Sequence, residues 1–228
     1  MTSQRKMPTR KMVVQNLGQG VPFSPNQEGF TPQEFKDHAA AFAKKNGSQF
    51  EALSGEERLF AMEKHFWVNL IGRQQGEPLE VEYAADLPVN SFGSGFPNSL
   101  YCPEGGEPYL RHPWKFSNLI TQPGSLLQFA HNKSLSGITE PWLYFGMLWS
   151  SFCWHYEDIM LPSINYMHAG GSKVWYAIPG ADRKKFEKAS KEKLAALHEN
   201  DPNFLLDITV QVSPAYLTNR GVTVYRTE

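Results

Sequence analysis

The sequence predicts a mainly β fold with flanking helices, of the sandwich or barrel kind. Three observations carry that expectation. From Ser125 onward, short runs rich in β-branched and aromatic residues follow one another, as successive strands do. Segments dense in Gly and Pro punctuate the chain where regular structure would have to stop. Ahead of the strand runs stand two stretches with helical apolar periodicity, each opened by a capping signal.

At 228 residues the chain suits one large domain or two small ones, and its 41% hydrophobic and 20% charged residues allow a sizeable core. A net charge of −1 gives no overall push toward nucleic acid or anionic lipid, and no direct nucleic-acid site is evident. The two cysteines, Cys102 and Cys153, form no C-x-x-C pair and no secreted disulfide framework, which favours a reducing, intracellular setting. No apolar run of about 18 residues is present to span a membrane, and no signal-peptide core follows Met1.

In chain order, residues 1–29 are expected to be a flexible, partly basic tail and entry loop, and residues 30–114 a helical and loop region. Thr31 and Glu34 form a capping box, Pro32 takes the first helical position, and Phe30 with Phe35 fits a hydrophobic staple. Phe35, Ala39 and Phe42 line one face, and Gly47 is the expected stop. Ser54 and Glu57 make a second box, with Leu59, Met62, Phe66 and Leu70 as the stripe and Gly72 as the end. Leu79–Tyr83 alternates as a strand does. The Gly- and Pro-rich segment from Pro88 to about Pro113 reads as a loop whose aromatics pack against the body.

Strands are expected at Ser125–Ala130, within Trp142–His155, at Ser163–His168 and at Lys173–Ile178, with Gly170-Gly171 turning a hairpin between the last two. A helix over roughly Ala181–Glu199 interrupts them. Two further strand-like runs follow near Leu205–Val212 and Val222–Arg226.

The chemistry centres on His155 and Glu157. On a strand, residues i and i+2 share a face, so imidazole and carboxylate would project side by side. From spacing alone a surface polar pair is the commoner meaning. Their position after a strongly apolar run raises the metal reading, because an uncompensated charge is costly in such a setting. Two histidines and one carboxylate with open positions make the facial triad of non-heme Fe(II) oxygenases. Ser163, Asn165 and Lys173 offer a hydroxyl, an amide and an ammonium that would suit a small dicarboxylate if they converged. Without further context they read more simply as the wet side of a hairpin. Tyr144, Phe152, Trp154, Trp175 and Tyr176 admit the same two readings, site or packing, with most expected in the core, and Cys153 is expected to be a buried small hydrophobe.

Pro141–Gly180, PWLYFGMLWSSFCWHYEDIMLPSINYMHAGGSKVWYAIPG, resembles the centre of a JmjC domain. EYAADL (Glu82–Leu87), FGSGFP (Phe92–Pro97), HPWKFSNL (His112–Leu119), PGSLLQF (Pro123–Phe129) and GVTVYRT (Gly221–Thr227) resemble the JARID/PLU type of JmjC histone lysine demethylase. The resemblance implies a double-stranded β-helix, a cupin-like jelly roll, with residues 115–228 as a partial JmjC domain. It implies Fe(II) as cofactor and 2-oxoglutarate as co-substrate for oxidative removal of N-methyl groups from lysine 4 of histone H3. Partners would be the methylated histone H3 tail and chromatin complexes, and the location the nucleus. His155 and Glu157 would be iron ligands. Lys173 would pair with the distal carboxylate of 2-oxoglutarate, with Tyr83, Ser163 and Asn165 as hydrogen-bonding companions and Phe152 packed beside it.

The chain departs from the family pattern in places. The third ligand, a histidine in a later strand, has no counterpart before Glu228, and neither His168 nor His198 aligns with it. The jelly roll is therefore expected to be incomplete at its C-terminus. JmjN, zinc-finger, ARID and PHD modules are not visible. Pro162 stands for a usual tyrosine, Ala169 for an aromatic, and Gly171-Ser172 for Glu-Pro. The alternative from another class is a catalytically silent JmjC-like module that binds chromatin.

Overall fold

A computed structural model describes residues 4–71, 76–98, 100–130 and 132–228. The chain divides into two compact units that alternate along the sequence. One gathers Met1–Lys11, Ser24–Gln49 and Val81–Ser150, the other Met12–Phe23, Phe50–Glu80 and Ser151–Glu228. No helix among the described residues is long and apolar enough to cross a membrane.

The stretch expected to be a tail holds two strands instead, β1 (Met7–Val13) and β2 (Ser24–Phe30), paired antiparallel. With β3 (Glu80–Pro88) and β4 (Trp142–Phe145) they make a four-stranded sheet in the order β2-β1-β3-β4. A polar cluster that no local pattern announced ties three of these strands together. Glu82 on β3 is buried and accepts from Thr9 Oγ1 on β1 at 2.5 Å and from Asn26 Nδ2 on β2 at 3.0 Å. A buried carboxylate without donors would be costly, so both contacts favour this strand order. Gly29 completes the pairing: at φ +58° its absent Cβ would stand 2.1 Å from the Met7 carbonyl oxygen, which any larger residue would strike.

Helix α1 (Pro32–Gly47) starts as expected, with both halves of the Thr31–Glu34 box formed. The Phe30 and Phe35 rings meet edge-on at 5.9 Å, which is the staple. Its apolar stripe packs within this unit, Phe35 against Phe145 and Phe42 against Trp149, each at 6.3 Å between ring centroids. Gly47 does not adopt a left-handed cap; the chain runs on into a 3-10 turn at Ser48–Phe50.

In the other unit, α2 (Gly55–His65) begins after Ser54, but the Ser54 side chain makes no capping bond, so the second box does not form. The helix widens into a π-turn at Phe66–Leu70, where Phe66 and Leu70 are buried. Gly72, the expected stop, lies outside the described residues.

The Pro88–Pro113 loop carries two one-turn helices, α3 (Val89–Phe92) and α4 (Glu107–Leu110), and α5 (Phe116–Leu119) follows it. Phe96, Tyr101 and Tyr109 are exposed, contrary to the packing expected of them. Several expected strands also take other forms. Leu126–Ala130 makes a 3-10 turn with Leu126 and Phe129 exposed, and Trp142–His155 is strand only over β4. Ser163–His168 is irregular, and Gly170-Gly171 bends the chain without a paired hairpin. Of Lys173–Ile178, Trp175–Ala177 forms β5, paired antiparallel with β6 (Tyr225–Thr227). Composition marked these runs as apolar and stiff, but a strand also needs a neighbour to take its backbone hydrogen bonds.

The expected Ala181–Glu199 helix is two helices, α6 (Arg183–Lys193) and α7 (Ala195–Asn200), broken at Leu194. Instead of a strand over 205–212 there is a 3-10 turn at Phe204–Asp207 and a left-handed Ile208. These segments and α8 (Pro214–Thr218) enclose this unit's core of Ala189, Phe204, Val210, Val212, Leu217 and Val222, with Trp154, Phe186 and Leu197 against it. The apolar residues of these segments serve helix and loop packing rather than the strand pairing expected of them.

Candidate metal and co-substrate site

The segment that carries the candidate ligands is held to its own unit by a loop that shares the core. Gln211 Nε2 donates to the Phe152 carbonyl at 2.7 Å, and Trp154 Nε1 donates to the Val212 carbonyl at 2.9 Å. Cys153 is buried, as expected, and burial pushes its thiol up to about 12. These anchors fix the direction in which residues 152–157 leave the core.

His155 and Glu157 do meet, though not on a regular strand. Their facing atoms, Nε2 and Oε1, are 4.0 Å apart. The other imidazole nitrogen, Nδ1, lies 2.8 Å from the Cys153 carbonyl oxygen. A carbonyl can only accept, so Nδ1 carries the proton, and in the neutral ring Nε2 is left with its lone pair facing Glu157. Metal-binding histidines are commonly prepared in this way, with the far ring nitrogen tied to a carbonyl or carboxylate. The side chains are 30% and 46% exposed, so burial alone does not force the pair to find a cation, contrary to the argument from the preceding apolar run.

This donor set fits two positions of a three-residue iron site. Among the described residues, no group of three or more His, Cys, Asp or Glu side chains is gathered for a metal. His155 and Glu157 would be the residues to hold one.

Phe152 links this pair to Lys173. Its ring meets the His155 ring edge-on at 5.8 Å, while the Lys173 ammonium stands 5.6 Å from its centroid. The same ammonium is 5.5 Å from the Trp175 ring, and Phe152 and Trp175 pack at 4.8 Å. Two aromatic faces favour the cation by its charge, while partial burial lowers the pKa of Lys173 from the ordinary lysine range. A partly desolvated ammonium gains from an anionic oxygen ligand, and the aromatic walls shield that contact from water. Trp175, for which the sequence favours a core role, is a wall of this cation site. Its place two residues after Lys173 in an extended segment was the available signal.

Two other expected site residues are not gathered in the same way. Ser163 and Asn165 are exposed in the irregular segment after Leu161, and no shared strand face unites them. Tyr83 lies on β3 in the other unit, buried, with its ring 6.0 Å from that of Tyr144. Burial first, and the charge of Asp86 second, push its phenol above the ordinary tyrosine range, so it remains a neutral O–H.

Residues 142–228 match the family described as JmjC domain, hydroxylase. The chain carries a JmjC domain. The cupin-like jelly roll with flanking helices expected from the sequence is the fold class of that domain. The chain is similar to lysine-specific demethylase JMJ703 of Oryza sativa subsp. japonica, 38% identical over 208 residues, covering 90% of this chain and 16% of the relative. It is 40% identical over 178 residues to lysine-specific demethylase JMJ17 of Arabidopsis thaliana, covering 75% and 14%. To lysine-specific demethylase 5B of Gallus gallus it is 39% identical over 170 residues, covering 73% and 11%. The chain thus spans only about a sixth or less of the length of these curated relatives. All the site residues after β4 fall inside the JmjC domain; Tyr83 precedes it.

Proposed function

We propose that this chain is part of an Fe(II)- and 2-oxoglutarate-dependent histone lysine demethylase of the nucleus, acting on methylated lysine 4 of histone H3. The observation that carries the reading is the ring of Phe152, which touches both the prepared imidazole of His155 and the ammonium of Lys173. It brings a metal-type donor pair and an anion-type cation to one place. The relatives' shared name, lysine-specific demethylase, supports the reaction class. FGSGFP and HPWKFSNL support lysine 4 over lysine 9 or lysine 36.

His155 Nε2 and Glu157 would hold iron, which with 2-oxoglutarate and O2 supplies the oxidation that releases an N-methyl group as formaldehyde. The Cys153 carbonyl keeps the imidazole in the tautomer that can bind metal. Lys173 would take the distal carboxylate of 2-oxoglutarate, with Ser163 and Asn165 as polar companions. Phe152 and Trp175 would exclude water from that ion pair. The same resemblance gives Tyr83 a hydrogen-bonding role, which a neutral phenol suits.

The test is anaerobic titration of Fe(II) and 2-oxoglutarate, followed by the visible charge-transfer absorption of their complex. The band is expected with the wild-type sequence and is lost in His155→Ala. Lys173→Ala should weaken 2-oxoglutarate roughly 10- to 100-fold, the scale of one hydrogen bond to a charged group. Formaldehyde release from H3 tail peptides trimethylated at lysine 4, 9 or 36 then reads the substrate, with lysine 4 expected to lead. If neither this chain nor a longer product of the same gene gives the band, while either still captures the H3 peptide, the protein is a silent chromatin-binding module and the enzyme reading fails.

A further inference from the structure

Helix α6 concentrates positive charge that the demethylase reading does not use. Over its 11 residues it carries Arg183, Lys184, Lys185, Lys188, Lys191 and Lys193 against Glu187 and Glu192, a local +4 in a chain whose net charge is −1. A solvated helix often disperses such charge by pairing it internally. Here the pairing is uneven. Arg183 is held by Glu187 at 2.7 Å, Lys185 by Asp182 at 2.7 Å, and the Lys193 ammonium lies over the Tyr216 ring at 5.2 Å. Lys184 and Lys191 have no carboxylate partner among the described residues. Lys188 is 80% exposed and reaches Glu192 only at 4.0 Å, while that carboxylate is more closely engaged by Arg220.

The three least neutralised lysines, 184, 188 and 191, follow the i, i+4, i+7 spacing of one helix face. They rise about 6 and then about 4.5 Å along the axis. The opposite side packs on this unit's core through Ala189, with Ser190 fully buried and Phe186 partly so, which fixes the direction the lysines face. The packed helix therefore sets the side on which the row stands.

We propose that this face of α6 binds the phosphate backbone of duplex DNA. Three ammonium groups with no aromatic or aliphatic residue among them provide little for an apolar peptide to pack on. Compact ammonium charges suit phosphate oxygens and carry no base-reading fork, so binding would be independent of sequence. The role would be to hold the domain on nucleic acid, and it does not depend on the iron reading.

The test is fluorescence anisotropy of a labelled 20-base-pair duplex with the whole chain, between 50 and 200 mM KCl. Three phosphate contacts predict a log–log salt slope of about −2.7. The triple reversal Lys184→Glu, Lys188→Glu, Lys191→Glu, with its fold checked by circular dichroism, should lose at least about tenfold in affinity at 50 mM and flatten the slope toward zero. The milder pair Lys184→Gln, Lys191→Gln should leave a slope near −0.9, and it guards against a reversal that fails to fold. Equal binding by wild type and variants overturns the proposal. So does capture of phosphatidylserine vesicles or an acidic peptide with no duplex binding.

Discussion

The hydroxyl of Tyr176 donates to Oε1 of Glu63 at 2.5 Å, joining β5 to helix α2 across more than a hundred residues of sequence. Trp67 Nε1 donates to the same hydroxyl at 2.8 Å, and Arg226 on β6 grips Glu63 through Nε at 2.9 and 3.1 Å. The tyrosine neighbours Trp175, so this network steadies the strand that carries one wall of the Lys173 site.

Glu63→Ala leaves the Tyr176 hydroxyl without its acceptor and Arg226 without its main partner. The expected cost is roughly 1–3 kcal/mol, in the lower part of that range because Arg226 is partly exposed to screening water. Chemical denaturation measures it. Glu63→Gln keeps one acceptor and should lose less. Equal losses in the two variants would show that the charge and the acceptor are not what matters.

Asp182 gives a pH signature. Its carboxylate accepts from Lys185 at 2.7 Å and from the Thr223 amide at 2.8 Å, and these bonds, Lys185 first, lower it to about 2. A depressed carboxylate contributes stability above its ordinary value near 3.8, and loses it as pH falls through about 2. The melting temperatures of wild type and Asp182→Asn should differ at pH 5 and converge as pH is lowered toward 2. A gap that stays constant across that range contradicts the assignment.

The two cysteines should separate cleanly by reactivity. Cys102 is exposed, whereas Cys153 is buried with its thiol raised to about 12. Against an ordinary thiol at 9.0, the thiolate fraction of Cys153 at neutral pH falls roughly a thousandfold. Mass spectrometry after brief alkylation should find one modified cysteine in the native chain, Cys102, and two in denaturant. Rapid native labelling of Cys153 would mean that the segment before His155 opens.

The two helix starts offer a paired comparison. Thr31→Ala removes a formed capping bond and should cost about 1 kcal/mol, whereas Ser54 makes none, so Ser54→Ala should cost only a few tenths. Denaturant unfolding of both variants checks the ranking. A larger loss at Ser54 would mean that its box forms in solution.

Those two caps also show how far local pattern reaches. The Thr31 box, the staple of Phe30 and Phe35, the apolar face of α1, the burial of Cys153 and the His155–Glu157 pair were all legible, because each depends on residues within a few positions of one another. The JmjC resemblance was legible for a related reason: its motif is long and contiguous over the residues that later match the family.

The sequence by itself determined the capped start of α1, its apolar face and the closeness of His155 to Glu157. Tertiary structure alone decided that residues 7–13 and 24–30 form paired strands, that Glu82 accepts from Thr9 and Asn26, that Phe152 bridges His155 to Lys173, and that Ser163 and Asn165 stay exposed. The physical reason is that strand pairing, buried-carboxylate satisfaction and aromatic–cation contacts each need a partner distant in sequence or across a turn. No local pattern names that partner; only the folded chain brings it within reach.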